Sequence, residues 1–277
     1  MLTPSAFQVP ILAHFSTIPT AGHLQVEAKA GSGKTTTIIQ GLGRCPEPAL
    51  VLAFNKSIAT ELESRLAAAP ASQPHTAATF NSVGHRAFAS MLRKRLTLNA
   101  KKVSHLLADL DLPLAIRYEA ERIIDRARTI GLVPASCSVP GLVPDDDATW
   151  DQLLSESSPD LTADLLRPIL EKSFALATAG TIDFADQLYM PVVCSAPFAR
   201  FPTVVCDEAQ DISPIQHEIL QRSLAYKAAL VTVGDTHQAI YAFRGADSRS
   251  MASLRTRFPG TTLPLSVSYR CPIAIIE

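Results

Sequence analysis

The chain has 277 residues, 47% hydrophobic and 18% charged, which fits a folded globular protein and excludes an extended disordered one. Its 25 Lys and Arg against 26 Asp and Glu give a formal net charge of −1, so any polyanion has to be bound locally. The charge is uneven: residues 1–110 hold 11 basic and 5 acidic side chains, leaving 14 and 21 for residues 111–277, which suits a basic groove on one part of the molecule.

A single core rarely grows beyond about 250–300 residues, so two domains are expected. The five cysteines, Cys45, Cys137, Cys194, Cys206 and Cys271, form no C-x-x-C pair, which argues against a disulfide scaffold or a zinc site and for a reducing compartment. The seven histidines likewise lack ligand spacing. No apolar run approaches the roughly 20 residues of a membrane span, and the N-terminus lacks signal-peptide features. The expectation is a cytoplasmic protein, nucleoid-associated if bacterial, with no membrane partner.

Along the chain, the apolar stretch at Leu24–Ala28 predicts a buried strand, followed by the glycine turn of AKAGSGKTTT at 28–37 and a helix continuing through Thr36-Thr37-Ile38-Ile39. This is a phosphate-binding loop. Gly31 and Gly33 let backbone N–H groups close around phosphate oxygens, with Ala30 and Ser32 completing the turn. Lys34 adds a point charge for the β- and γ-phosphates. Thr35 offers a hydroxyl to Mg²⁺, with Thr36 beside it, and the helix start turns its positive dipole end to the anion. Ala28 stands where the G-x-x-x-x-G-K-[ST] pattern has glycine.

Further strands are predicted at Ala49–Phe54, His75–Thr79, Thr203–Cys206, Ala229–Gly234 and Thr261–Leu265, with amphipathic stretches at Lys56–Ala69 and Ile212–Tyr226 between them. That alternation, with the phosphate loop, predicts an α/β fold, a P-loop NTPase parallel sheet with helices on both faces and ligands at the strands' carboxyl ends. Residues 90–182 break the rhythm: helices near Val103–Leu110, Leu114–Ile130 and Leu161–Ala177, with the Pro- and Asp-rich linker Val133–Asp147, predict an inserted all-α subdomain. The expected organisation is 1–89, the first part of the ATP-binding domain; 90–182, the insertion; and 183–277, the second part. Arg86, Arg93, Lys94, Arg95, Lys101 and Lys102 occur with no acidic residue among them; a solvated helix face and a phosphate-contacting surface are both open readings.

The strand at Thr203–Cys206 delivers Asp207-Glu208-Ala209-Gln210-Asp211 at its C-terminal end, the carboxylates a Mg²⁺-assisted NTPase requires. Asp207 is placed to hold Mg²⁺, and Glu208 to accept a proton from the water attacking the γ-phosphate. An acidic helix start is the plainer alternative.

With AKAGSGKTTT, VLAFNKSIATEL, TAATFNSVGHRAF, VVCDEAQDISPIQ, VGDTHQAIYAFRGAD and LSVSYRCP in hand, the chain resembles the UvrD/Rep/PcrA group of superfamily 1 DNA helicases. Those segments correspond to its motifs I, Ia, Ib, II, III and IV, and IDFADQLYMP resembles the segment leading back into the core. The resemblance implies a RecA-like sheet, with Gln238 sensing the γ-phosphate, Arg270 contacting it and Gln8 reading adenine, a role a planar amide can fill. It also places Phe54, Asn55, Lys56, Thr79, Phe80, Asn81, Tyr241, Phe243 and Arg244 along a single-strand groove, where aromatic rings stack on bases of any sequence for about 1–3 kcal/mol each. Core packing is the plainer reading for Phe54 and Phe80. Asn81 stands where the group often has His, and Ser268 where Asn usually precedes Tyr-Arg.

Motifs V and VI do not occur before Glu277, so the resemblance implies a second motor domain in cis or in trans. The expectation is the ATP·Mg²⁺-binding, ATP-hydrolysing core of a 3′ to 5′ helicase acting on single-stranded DNA or a single-strand/duplex junction, truncated and weakly active or inactive alone. The alternatives are a non-catalytic, nucleotide-dependent DNA-binding module and, less well matched, a P-loop nucleoside kinase.

Overall fold

The computed structural model describes residues 3–68, 73–134, 137, 139–236 and 249–267. They fall into two compact units: residues 1–80, 199–212 and 220–277 in one, and residues 81–198 and 213–219 in the other.

The first unit is built on six strands: β1 (Leu24–Ala28), β2 (Ala49–Ala53), β3 (Thr76–Thr79), β8 (Phe201–Cys206), β9 (Leu224–Gly234) and β10 (Thr261–Leu265). Their order is β10-β1-β9-β8-β2-β3, and every pairing is parallel. β2 is buried at all five positions, the signature of a central strand covered on both faces. β10 is largely exposed, as an edge strand can be.

Helices α1 (Gln8–Phe15), α2 (Lys34–Leu42) and α3 (Lys56–Ala68) press Phe15, Ile38, Leu42, Leu62 and Leu66 onto Val26, Val51, Val205, Val231 and Val233. The α1–α2 approach depends on Gly41: a Cβ there would lie 2.4 Å from the Phe15 ring.

The predicted strands are present with their ends moved by a few residues. The largest difference is at Ile212–Tyr226, where the helix, α10, covers Pro214–Ser223 and Leu224–Tyr226 already belong to β9. The ladder explains it, since Leu224 pairs with Phe201 and inter-strand hydrogen bonds override a local helical pattern.

The second unit contains α5 (Lys102–Ala108), α6 (Leu114–Ile130), α7 (Asp147–Leu154), α8 (Ala163–Ala179) and α9 (Asp186–Val193). α4 (Phe80–Leu92) leads into it. Its core joins Val103, Leu107, Ile123, Ile124, Trp150, Leu166, Ile169 and Leu170. The ends follow capping chemistry: Asp146 accepts from Thr149 N at 2.8 Å, and Gly131 closes α6 with φ 81°, a conformation that favours glycine. α7 and α9 were not foreseen. Two short parallel pairs also accompany the helices, β4 (Thr97–Leu98) with β7 (Thr181–Ile182) and β5 (Leu132–Val133) with β6 (Val143–Pro144). The last pair lies partly within the expected linker.

A buried ionic cluster ties this unit together. Arg128 Nη1 donates to both oxygens of Asp183, at 2.9 and 2.8 Å, and to Asp186 Oδ1 at 3.1 Å. Lys102 Nζ donates to Asp186 Oδ2 and, at 3.0 Å, to the Ser173 carbonyl. Asp183 and Asp186 also accept each other's backbone N–H, both at 2.9 Å, in the reciprocal manner of a capping box. Burial pushes Asp183 up, but the Arg128 and Lys102 charges outweigh it and hold this carboxyl below the usual range. Lys102 is therefore no part of a solvated basic face. Arg86, Arg93, Lys94, Arg95 and Lys101 are exposed.

Candidate nucleotide site

β1, β9 and β8 are adjacent in the sheet, so their carboxyl ends bring together three stretches of chain distant in sequence. From β1 comes the glycine turn. Gly31 and Gly33 have φ of 70° and 80°, in the left-handed region that a side chain disfavours. Gly33 occupies the cap position of α2 without any side-chain cap bond, which leaves first-turn N–H groups for an anion. A Cβ on Gly33 would meet nothing within 4 Å. Ser32 is buried with its hydroxyl unpartnered. Uncapped amides, open space and an orphaned hydroxyl are what a phosphate cradle needs, so these residues fit a nucleoside triphosphate. Ala30 and Thr36 are exposed and Thr35 is half-buried at the same turn. Ala28, in the glycine position of the pattern, is the buried last residue of β1.

β8 contributes the carboxylates. Lys34 Nζ donates to Glu208 Oε2 at 2.6 Å across 174 residues of sequence. Glu208 holds φ 51° and ψ 43°, a left-handed conformation that costs a non-glycine residue about 1–3 kcal/mol and typically persists where function requires it. Asp207 is buried and accepts from Glu208 N at 3.0 Å. Burial, then the Glu208 charge, push its carboxyl up to about 6, against the pull of Lys34. Burial likewise raises Asp211, whose Oδ1 is buried without a partner. Thr35 carries a hydroxyl and Asp207 a carboxylate, oxygen donors of the hard kind that Mg²⁺ takes.

Gln210 joins these carboxylates to β9. Its Nε2 donates to Glu208 Oε2 at 2.9 Å and to Asp211 Oδ2 at 3.1 Å, and its Oε1 accepts from Asp235 N at 3.1 Å. The sequence placed Gln210 in the acidic segment without assigning it a task; an amide set among three carboxylates just after a strand is the signal that could have marked it.

Gln8 is buried in α1, where Nε2 donates to Thr37 Oγ1 at 2.9 Å and Oε1 accepts from Ser5 N at 2.9 Å. Its second N–H and second lone pair remain for a ligand. Gln238, Tyr241, Phe243, Arg244 and Arg270, with Ser268 and Cys271, lie outside the described residues.

The other single-strand candidates divide. Phe54 and Thr79 are half-buried and Lys56 is exposed. Asn55 is exposed, but its Oδ1 accepts from Ile58 N at 2.9 Å, the capping role of such a residue at a helix start. Phe80 is a correction: it is 1% exposed, so packing consumes the ring that was expected to stack on bases. In the second unit, Asn81 Nδ2 donates to the Phe184 carbonyl at 3.1 Å and to Gln187 Oε1 at 3.0 Å. Phe184, not singled out from the sequence, is 57% exposed. An aromatic set between Asp183 and Asp186 was the signal available.

Among the described residues no helix is long and apolar enough to cross a membrane. The family model for the UvrD/REP helicase N-terminal domain matches residues 13–137 and 148–259. A putative ATP-dependent DNA helicase, YjcD, of Bacillus subtilis is 36% identical over 80 residues, which is 28% of this chain and 10% of that protein. The RecBCD enzyme subunit RecB of Mycolicibacterium smegmatis is 48% identical over 48 residues, 17% of this chain and 4% of its own length. The ATP-dependent DNA helicase UvrD2 of Mycobacterium tuberculosis is 34% identical over 79 residues, 28% of this chain and 11% of the relative. The chain thus aligns with about a tenth or less of each of these relatives. A family match over most of the sequence and an α/β sheet that gathers the glycine turn and DEAQD at one edge converge: the chain belongs to the UvrD/REP helicase N-terminal domain family.

Proposed function

We propose that this chain is the ATP-binding and ATP-hydrolysing part of a 3′ to 5′ DNA helicase that moves on single-stranded DNA and works with a second motor domain, in cis or in trans. The observation that carries this reading is the 2.6 Å contact between Lys34 of the glycine turn and Glu208 at the end of β8, with Asp207 beside it. The backbone amides of Gly31 to Thr36 and the Lys34 charge would hold the triphosphate, Gln8 the adenine, and Thr35 with Asp207 the Mg²⁺. Bound Mg²⁺ supplies charge neutralisation at the β- and γ-phosphates.

Lys34 then has two anionic claimants, Glu208 and the phosphates. Turning to the phosphates frees Glu208 to take the proton of the attacking water, a general-base contribution of about 10²–10⁴ in rate. Gln238 and Arg270 are assigned to the γ-phosphate by resemblance. By the same resemblance, Phe54, Lys56, Thr79, Asn81, Tyr241, Phe243 and Arg244 would line the single-strand path. Arg93, Lys94, Arg95 and Lys101 would contact phosphates. The three-part organisation 1–89, 90–182 and 183–277 belongs to the same proposal.

The test is DNA-stimulated ATP hydrolysis by the protein expressed from its intact gene. Lys34→Ala and Glu208→Gln should each lower turnover by about 100-fold or more; unchanged turnover overturns the reading. Binding of nucleotide and single-stranded DNA with no hydrolysis in the unaltered protein favours the non-catalytic module.

A further inference from the structure

Two donors grip the same oxygen of Glu208. Lys34 Nζ approaches Oε2 at 2.6 Å and Gln210 Nε2 approaches it at 2.9 Å. Among the described residues nothing donates to Oε1, the oxygen left for water. Once Lys34 serves phosphate, Gln210 is the remaining described donor that can keep the carboxylate aimed. We propose that Gln210 is a positioning residue that holds Glu208 in its working orientation and couples it to the end of β9 and the start of the helix that follows. This rests on Glu208 being the hydrolytic base.

The amide has one orientation available. Its NH₂ faces two carboxylates, Glu208 and Asp211, while its oxygen receives Asp235 N at 3.1 Å; reversal would set an oxygen against two oxygens and an NH₂ against an N–H. The side chain is 4% exposed, so water cannot take over these bonds cheaply. The backbone is shaped around it: a Cβ on Gly234 would lie 2.6 Å from Gln210 Oε1 and 3.0 Å from Met251 Sδ.

The neighbouring residue receives the second stem. Ser250, first residue of α11 (Ser250–Arg257), donates its hydroxyl to the Ala209 carbonyl at 2.6 Å. Asp235, where the chain leaves β9, and Ser250, where α11 begins, therefore both bond to Ala209-Gln210. The sequence between them carries Gln238, assigned by resemblance to the γ-phosphate, and Tyr241, Phe243 and Arg244, assigned by resemblance to DNA. Displacement of either stem is transmitted through Gln210 to the Glu208 carboxylate, which gives hydrolysis a dependence on DNA that needs no direct DNA contact at Glu208.

The experiment compares Gln210→Leu, Gly234→Ala and Glu208→Gln in the protein expressed from its intact gene, measuring kcat and KM for ATP with and without oligo-dT, and the affinity for a fluorescent ATP analogue. Gln210→Leu should lower kcat about tenfold or more, equivalent to about 1.4 kcal/mol, and shrink the stimulation by oligo-dT, while analogue affinity stays within about threefold. Gly234→Ala, which displaces the amide without removing it, should show the same pattern more weakly. Unchanged kcat and stimulation in Gln210→Leu, with Glu208→Gln inactive, overturns the proposal; an active Glu208→Gln overturns the underlying assignment of the base instead. If the unaltered protein does not turn over, amide hydrogen exchange across residues 230–236 decides: a non-hydrolysable ATP analogue with Mg²⁺ should alter exchange in the unaltered protein and not in Gln210→Leu, and an equal response in both overturns the coupling.

Discussion

Among the described residues, two of the clusters of cations and carboxylates are built oppositely. In the second unit, Lys102, Arg128, Asp183 and Asp186 are all buried, and the two aspartates cap each other's backbone as well as binding the cations. In the first unit, Lys34 and Glu208 keep 13% and 31% of their side chains exposed, Glu208 sits on strained backbone, and the adjacent Ser32 hydroxyl and Asp211 Oδ1 lack partners. The first arrangement spends its bonding capacity on holding helices together. The second retains capacity, access and strain, which is what distinguishes a site from a brace when the residue types are the same.

Breaking the brace gives the largest change in stability. Arg128→Ala leaves Asp183 and Asp186 buried without their main partner and should cost about 3–5 kcal/mol, read as a lowered urea midpoint. Lys34→Ala at the exposed pair should change stability by no more than about 1 kcal/mol. Similar losses for both would erase the distinction between the clusters.

A smaller effect is expected from Gly33→Ala, because its φ of 80° costs an alanine about 1–2 kcal/mol. The open space around it predicts no steric clash in the free protein, so the urea midpoint should shift modestly while nucleotide affinity falls. A large stability loss with intact affinity would contradict the cradle.

The pH dependence sharpens the comparison further. The folded-state value of Asp207, pushed up to about 6, lies above the ordinary value of about 3.9. Below that ordinary value the carboxyl is protonated in both states. As pH rises from about 4 to about 6 the unfolded chain ionises first, so this group lowers stability across that window. A Mg²⁺ ligand must be ionised, so Mg²⁺-dependent nucleotide binding should weaken as pH falls through about 6, in parallel fluorescence titrations. Asp207→Asn should abolish the Mg²⁺ dependence at every pH.

Much of the first unit was legible because its signals are local. An apolar strand, two glycines and Lys-Thr define the phosphate turn, and another apolar strand running into Asp207-Glu208 defines the carboxylates. Strand ends were less legible, since Leu224 joins β9 through pairing with Phe201, a relation no local pattern carries. Lys102 read as part of a basic run because its partners lie 81 and 84 residues away, and Phe80 read as a groove aromatic because burial depends on tertiary packing. Gln210 was visible as a residue, but its link to Asp235 exists only in three dimensions.

The most direct test is equilibrium titration of the protein expressed from its intact gene with a fluorescent ATP analogue, with and without Mg²⁺, for the unaltered protein and for Lys34→Ala. A P-loop lysine at this site predicts Mg²⁺-dependent binding weakened about tenfold or more in Lys34→Ala, a loss of about 1.4 kcal/mol, with the urea midpoint nearly unchanged. Equal affinity in both proteins, or no Mg²⁺ dependence in either, would contradict the assignment of this strand edge as the ATP site.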